Sequence, residues 1–528
     1  MPNRNLFRSS PSVAPTTTRN AAGGRAYAMS DSHALAQYAV TGTLNDTCYI
    51  KAETQLANLL ELAKKCNPEY VAKTAIYARQ NGLMKDTPVL LLAYLMTLDN
   101  KQWFNATFPY VLTNIGSLRA FAQIVRSGAL GRKSLGSAGK RAINSVLTSM
   151  DAGRIFWQAS SGTASVNTVD LLRLAHPRPM DSQHDALYAY LLGRPYDFEA
   201  LPTNVQDFEN FKAGRTQVVP KVDFRRLSNL NLNTSQWREL AENMTWNQLR
   251  LNLRNLSRHQ VFEDSDFIRV IARRLVNPDA IARSGALPFA LHSTYLSTMS
   301  DPAIPQPIRN AVSAAVDLSV VNAPELPGRT LIMVDSSGSM RSDVTGYSPF
   351  RPTQRPAQIS CVQAAGYFAA GIVKANPEQV VDVFAYDTRI QRVNLNPRDS
   401  VTTMVKSFPT QGGGTNTGGC LAAALATGIQ PDNIIIVSDN MSWVDYATGY
   451  GATATMTAQV FERYRRSNSQ ATIVCWDIQP GLTSQINETN RGKQLNIGGF
   501  SDSVFKIVGK FLNDDTDFVS TINNINLD

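Results

Sequence analysis

The sequence predicts an α plus α/β protein: a helical-repeat region over roughly the first three hundred residues, then a doubly wound parallel sheet. Three observations carry this. Apolar residues from about Tyr27 to Ser300 recur at helical spacing, with few strand signals. A Pro- and Ala-rich junction runs from Asp301-Pro302 to Pro324-Glu325-Leu326-Pro327. Beyond it, short wholly apolar runs that end in small polar residues alternate with helical patterns, as buried parallel strands and their crossover helices do.

Taken in order, Met1 to about Arg25 is rich in Ser, Thr, Pro, Asn and Arg, and its composition reads as a disordered head. Helical spacing begins with Leu56–Ala63 and continues in Val71–Gln80 and Val89–Leu98, with breaks expected at Gly82, Pro88, Pro109, Gly128 and Gly136. Such a succession of helices, with no long coiled coil, suggests stacked helical pairs of degenerate repeat. After the junction, strands are predicted at Thr330–Val334, Val380–Tyr386, Asn433–Ser438 and Ala471–Trp476. Helices are predicted at Ala357–Ala375, Thr417–Gly428, Thr455–Ser467 and near the C-terminus. The expected organisation is a disordered tail over 1–26, a helical domain over 27–325 and a sheet domain over 326–528.

The 528 residues suffice for two to four domains. Charge is unevenly placed. Residues 1–320 carry 35 Lys and Arg against 24 Asp and Glu, and residues 321–528 carry 16 against 18, so the basic partner surface is expected in the helical part. Residues 101–150 hold seven basic side chains and no acidic one. The five cysteines, Cys48, Cys66, Cys361, Cys420 and Cys475, form no C-x-x-C pair, which argues against a disulfide framework or a zinc site and for a reducing, cytoplasmic setting. Leu90–Met96 is too short to span a bilayer and the first residues lack a signal-peptide core, so no membrane association is expected.

The most informative stretch is Asp335-Ser336-Ser337-Gly338-Ser339, directly after Thr330-Leu331-Ile332-Met333-Val334. D-x-S-x-S at the carboxyl end of a buried strand gathers a carboxylate and two hydroxyls at the edge where open α/β sheets bind ligands. Oxygen-only donors suit a hard cation such as Mg²⁺ or Mn²⁺. Gln411-Gly412-Gly413-Gly414-Thr415-Asn416-Thr417 supplies a further hydroxyl on a glycine-rich loop, and Ile434-Ile435-Ile436-Val437-Ser438-Asp439 is a second apolar strand ending in a carboxylate. This ordered set resembles the metal-ion-dependent adhesion site of von Willebrand factor A domains. The resemblance implies Ser337, Ser339 and Thr415 as direct ligands, with Asp335 and Asp439 binding directly or through water. Thr417 is expected instead to cap the following helix.

In the helical part, Gly131-Arg132-Lys133-Ser134-Leu135-Gly136-Ser137-Ala138-Gly139-Lys140-Arg141 sets four cations among small residues, where a phosphate backbone can approach closely and displace counterions. Arg250, Arg254 and Arg258 share one helical face beside the apolar stripe Leu249, Leu253, Leu256. Several segments resemble the TROVE domain of Ro ribonucleoproteins: Ser235–Arg238 through Met244–Arg250, Leu253–Leu256, Asp170–Pro177 and Leu287–His292. TROVE followed by von Willebrand A, over about residues 27–520, is the Ro order, and the length and short head are similar to bacterial Ro orthologues. That resemblance implies a ring of HEAT-like repeats closed by the A domain. It implies a small noncoding Y RNA on the outer basic surface, single-stranded ends of misfolded RNAs in the central hole, and association with a 3′-to-5′ exoribonuclease. The cation cluster and the arginine face are compatible with it, and together with the family match at His176 they make Arg132, Lys133, Lys140, Arg141, Arg173, His176, Arg250 and Arg254 the RNA-contact candidates. His176 matches a family histidine implicated in RNA contact, with Arg173 one turn before it. Arg154–Gln158 corresponds roughly to the family's basic RNA-binding helix but carries fewer cations.

No nucleophile–base arrangement and no G-x-x-x-x-G-K-[ST] loop are found. The five histidines, His33, His176, His184, His259 and His292, are all expected in the helical half. One metal with three hydroxyls has no evident general base, so a non-enzymatic role is expected. The rival reading is a metal-dependent protein-binding module, of the integrin or chelatase-subunit kind, on a helical scaffold.

Overall fold

The computed structural model describes residues 13–42, 44, 50–159, 166–344, 359–410, 412–439, 441–443, 454–479, 481–487, 493–514 and 518–527. Cys48, Gln411 and most of the loop between Ala159 and Asn167 lie outside them. The chain divides into two compact units. One comprises 1–56, 286–293 and 319–520, and the other 57–285, 294–318 and 521–528.

The second unit is helical. Pro68–Gln80 packs on Thr87–Thr97 and Gln102–Val111, Gly136–Ser149 on Thr168–Ala175, and Ser265–Leu275 on Gln306–Leu318, so most contacts are made by helices near in sequence. Caps explain many of the boundaries. Asn114, Asn167, Asn233 and Thr245 each form a capping box with the residue three further on. Two expected breaks are not breaks. Pro88 sits in the first turn of Thr87–Thr97, where a missing N–H costs nothing, and Pro109 lies inside Gln102–Val111. Gly136 opens a helix rather than separating two, whereas Gly128 ends Ile115–Ser127 at φ 84°, a left-handed conformation that favours glycine.

The first unit is built on a six-stranded sheet. Ahead of it in sequence, two short strands, β1 (Thr18–Arg19) and β2 (Arg25–Ala28), pair antiparallel. These strands fall where composition reads as a disordered head; residues 1–12 are outside the described part. The sheet strands are β3 (Thr330–Asp335), β4 (Val381–Tyr386), β5 (Ile390–Arg392), β6 (Asn433–Ser438) and β7 (Thr472–Asp477). The short β8 (Thr483–Ser484) pairs with β2, and β9 (Gln494–Gly498) completes the sheet in the order β5-β4-β3-β6-β7-β9. All neighbours are parallel except β4–β5. β3, β6 and β7 are buried at every residue, as their unbroken apolar runs require.

Helix Cys361–Ala375, buried at nearly every position, contacts β3. Helices Thr417–Ala426 and Met456–Tyr464 pack on each other, with Leu421, Phe461 and the β3 and β6 side chains in one apolar cluster. A separate aromatic group joins Phe368, Trp476 and Phe505, with Phe289 stacked on Phe505 at 5.5 Å. The N-terminal segment belongs to this unit: Tyr27 enters the apolar cluster and His33 Nε2 lies 2.7 Å from the Asn496 carbonyl. Two of the five histidines, His33 and His292, therefore sit in the sheet unit and not in the helical one.

Candidate metal centre and basic surface

β3 and β6 are adjacent and parallel, so Asp335 ends one strand and Asp439 follows the end of its neighbour on the same edge. Both are buried. Asp335 accepts from the Ser337 N–H at 2.8 Å and the Ser438 hydroxyl at 2.7 Å. Burial, and then the nearby Asp439 carboxylate, push Asp335 well above the usual carboxylate range. Ser337 and Ser339 bring their hydroxyls to 3.3 Å of each other across the tight turn that opens Gly338–Arg341.

The glycine-rich loop reaches this turn through Gly338 N–H, which donates to the Gly413 carbonyl at 3.0 Å. Gly412 lies so close to the Ser336 carbonyl that a Cβ would overlap its oxygen, so the approach needs glycine. Asp387, at the end of β4, holds the loop from beneath: its carboxylate accepts from Gly413 N–H at 3.0 Å and its carbonyl from Asn416 N–H at 2.9 Å. Thr415 is buried in this loop. Its carbonyl accepts from the Ser442 hydroxyl at 3.4 Å and from Trp443 N–H at 3.3 Å. The cap of the next helix is Asn416, whose side chain accepts from Gly419 N–H; Thr417 is the first helical residue and does not serve as the cap. Its hydroxyl instead lies 3.3 Å from that of Tyr386.

The structure thus gathers Asp335, Ser337 and Ser339 at one strand end, sets Asp439 beside Asp335, and docks the Thr415 loop on the same turn. The donor set is all oxygen, with two buried carboxylates that raise each other's cost of ionisation, and a hard divalent cation fits it chemically. Among the described residues no three His, Cys, Asp or Glu side chains form a metal-holding group, so the hydroxyls are indispensable to this reading. Sequence reasoning missed three participants. Ser438, the last residue of β6, was visible as a strand end; Asp387, one residue past β4, was not, because it acts by hydrogen bonds to loop backbone. Asp477, at the end of β7, is buried and held well above the usual carboxylate range by burial and then by Asp439.

The basic candidates divide into engaged and free-standing groups. Lys140 and Arg141 are exposed on Gly136–Ser149, and Lys133 is exposed ahead of it. Arg132 donates from Nε to the Ser134 carbonyl at 2.9 Å. Arg173 and His176 are exposed at the end of Thr168–Ala175, where His176 takes the left-handed cap position at φ 51° and donates its N–H to the Leu172 carbonyl. Arg250 is half-buried: it donates to Asn247 Oδ1 at 2.9 Å and Thr294 Oγ1 at 3.2 Å and lies over the Trp246 ring. Arg254 pairs with Asp301 at 3.4 Å. Two of the three arginines of that stripe therefore already have partners within the helical unit.

The fold is thus a helical unit and a parallel-sheet unit whose strand ends gather the candidate site, an arrangement similar to that of von Willebrand A domains. Residues 329–512 match the family described as the Ro60 vWA domain. The chain is 22% identical over 484 residues to the RNA-binding protein RO60 of Deinococcus radiodurans, across 80% of this chain and 83% of that protein. The crystal structure of the Deinococcus radiodurans RO (RSR) protein superposes with a TM-score of 0.64 at 18% identity, covering 92% of this chain and all of that one, and so shows a shared fold. The likeness to the Deinococcus radiodurans protein thus covers most of the chain. Among the described residues no helix is long and apolar enough to cross a membrane.

Proposed function

We propose that this chain is a non-enzymatic RNA-binding Ro-type scaffold. The single observation that carries the reading is its alignment, along most of its length, with a protein named for RNA binding. The acid-free stretch 101–150 supports it, because exposed Lys133, Lys140 and Arg141 there have no acidic neighbour in sequence to neutralise them. The RNA would be a small noncoding Y-type RNA, together with misfolded RNAs offering a single-stranded end, and the role RNA quality control in the cytoplasm beside a 3′-to-5′ exoribonuclease. Arg132, Lys133, Lys140, Arg141, Arg173 and His176 are its contacts in this reading, and Arg250 and Arg254 are secondary because their partners must be exchanged.

The A domain would hold Mg²⁺ or Mn²⁺ through Asp335, Ser337, Ser339, Thr415 and Asp439. The ion would supply an open position for a partner's carboxylate, so protein binding through this site is compatible with RNA binding elsewhere. The buried Asp335–Asp439 pair is what favours this second activity. Ultraviolet crosslinking in cells followed by RNA sequencing tests the main reading. One dominant small RNA is expected; recovery no different from that of an unrelated basic protein would overturn it.

A further inference from the structure

The N-terminal turn touches the loop that positions the metal site. Asn20 closes a tight turn: its side-chain oxygen accepts from Ala22 N–H at 3.1 Å and Gly24 N–H at 2.8 Å, and its backbone N–H donates to the Gly24 carbonyl at 2.8 Å. Its amide nitrogen points the other way and donates to the Ser442 carbonyl at 2.9 Å, across more than four hundred residues of sequence. Both residues are buried. Gly24 lies against the same carbonyl, so closely that a Cβ would overlap it.

Ser442 is in turn the residue that fixes the third hydroxyl donor. Its hydroxyl donates to the Thr415 carbonyl and accepts from Thr417 N–H at 3.2 Å, while Trp443 N–H reaches Thr415 from the next position. The same short segment follows Asp439, whose carboxylate accepts from Met441 N–H at 3.2 Å. One carbonyl thus stands between the head of the chain and two of the five candidate metal ligands.

We propose that the Asn20–Gly24 turn is a positioning element of the metal centre: it clamps Ser442, and through Ser442 sets Thr415 and the segment after Asp439 in the geometry that binds the ion. The inference rests on the metal-site reading above. It makes cation affinity depend on a segment that lies far from the D-x-S-x-S motif in sequence. By linkage, a bound cation stabilises the docked turn to the same extent.

The test is Mn²⁺ affinity of the full chain by electron paramagnetic resonance, on four proteins. Asn20→Asp keeps the acceptor that closes the turn but removes the amide donor to Ser442. Gly24→Ala displaces the Ser442 carbonyl directly. Thr17→Ala is the control, because Thr17 supports the same strand pair through Ala28 N–H without touching Ser442. Losing one buried hydrogen bond that holds a ligand loop should weaken Mn²⁺ binding about fivefold in Asn20→Asp, more in Gly24→Ala, and not in Thr17→Ala. Wild-type affinity in both turn variants overturns the proposal while leaving the metal site standing. Equal loss in all three means general loosening of the segment and also overturns it. Absence of Mn²⁺ binding in the wild-type chain overturns the metal reading and this inference together.

Discussion

Asp335 is a fully buried carboxylate whose hydrogen-bond donors are neutral, the Ser337 N–H and the Ser438 hydroxyl, and whose nearby charged neighbour is another carboxylate. A divalent cation relieves that repulsion, so replacement of either Asp335 or Asp439 by Ala should abolish Mn²⁺ binding measured by calorimetry. RNA affinity should stay within about twofold, since the basic candidates lie in the helical unit. A retained Mn²⁺ isotherm in Asp335→Ala would remove the site. The basic side chains call for an equally local argument. Lys140 and Arg141 are exposed, and reversing both charges should weaken RNA binding and make the slope of log affinity against log salt shallower by roughly one per lost phosphate contact. Arg250 behaves differently because its guanidinium is tied to Asn247 and Thr294. Arg250→Ala should lower the unfolding midpoint, by about 1–3 kcal/mol of stability, more than it lowers RNA affinity.

Among the elements, the motif Leu287–His292 illustrates how much of the fold the sequence made legible. Its apolar pattern and family resemblance placed it in the helical region, yet residues 286–293 pack in the sheet unit: Phe289 lies against Phe505, and His292 Nδ1 is 2.7 Å from the Tyr367 hydroxyl. Periodicity reports which face is buried, not which unit buries it. For the same reason β3, β4, β6 and β7 were found within a residue, because each is a mostly apolar and almost wholly buried run, while β1, β2 and β8 have only two to four residues and no such run. β9 escaped notice because Asn496 and Gly498 break its apolar pattern. The site's first half was legible as D-x-S-x-S; Asp387 and Ser442 were not, because they act by hydrogen bonds to loop backbone, which leave no spacing signature. His292 yields a pH prediction. Burial holds it down to about 4, below its ordinary value, so between about 4 and about 6.5 this imidazole binds fewer protons in the folded chain than in the unfolded one. The contribution of His292 to stability is therefore full above about pH 6.5 and falls as pH drops towards 4, by about 3 kcal/mol at most. Asp335 and Asp477, whose buried carboxyls are raised, act in the opposite sense, so the slope is read as the difference between wild type and His292→Gln in chemical denaturation from pH 7.5 to 4.5.

For the whole molecule, the division into two units does not follow the order of the chain. The sheet unit takes its N-terminal fifty-odd residues from the far end of the sequence, with β2 pairing β8, Tyr27 in the apolar cluster and His33 on β9. A fragment that begins near Leu326 therefore leaves the β8 edge unpaired and opens the site of the Tyr27 ring, which is 2% exposed in the full chain. That fragment should unfold at a temperature several degrees below one in which residues 13–56 are joined to it by a flexible linker. Of the two, the linked form is the fairer sample of the sheet unit for binding work, because loss of the Asn20–Ser442 contact would also disturb the metal centre. In that linked form RNA binding should be weak or absent, since residues 321–528 carry 16 basic against 18 acidic side chains and the cationic excess lies in the rest of the chain. The full chain should in contrast lose RNA affinity steeply as salt rises, and should prefer a hairpin with a single-stranded 3′ tail over the same hairpin with a blunt end. Side chains cannot read the narrow A-form major groove, so selectivity must come from exposed bases and shape. Competition between the two hairpins at fixed salt measures this. Equal affinity for both would leave a charge-driven binder of any RNA, and tight binding by the linked A domain alone would place the RNA site in the wrong unit.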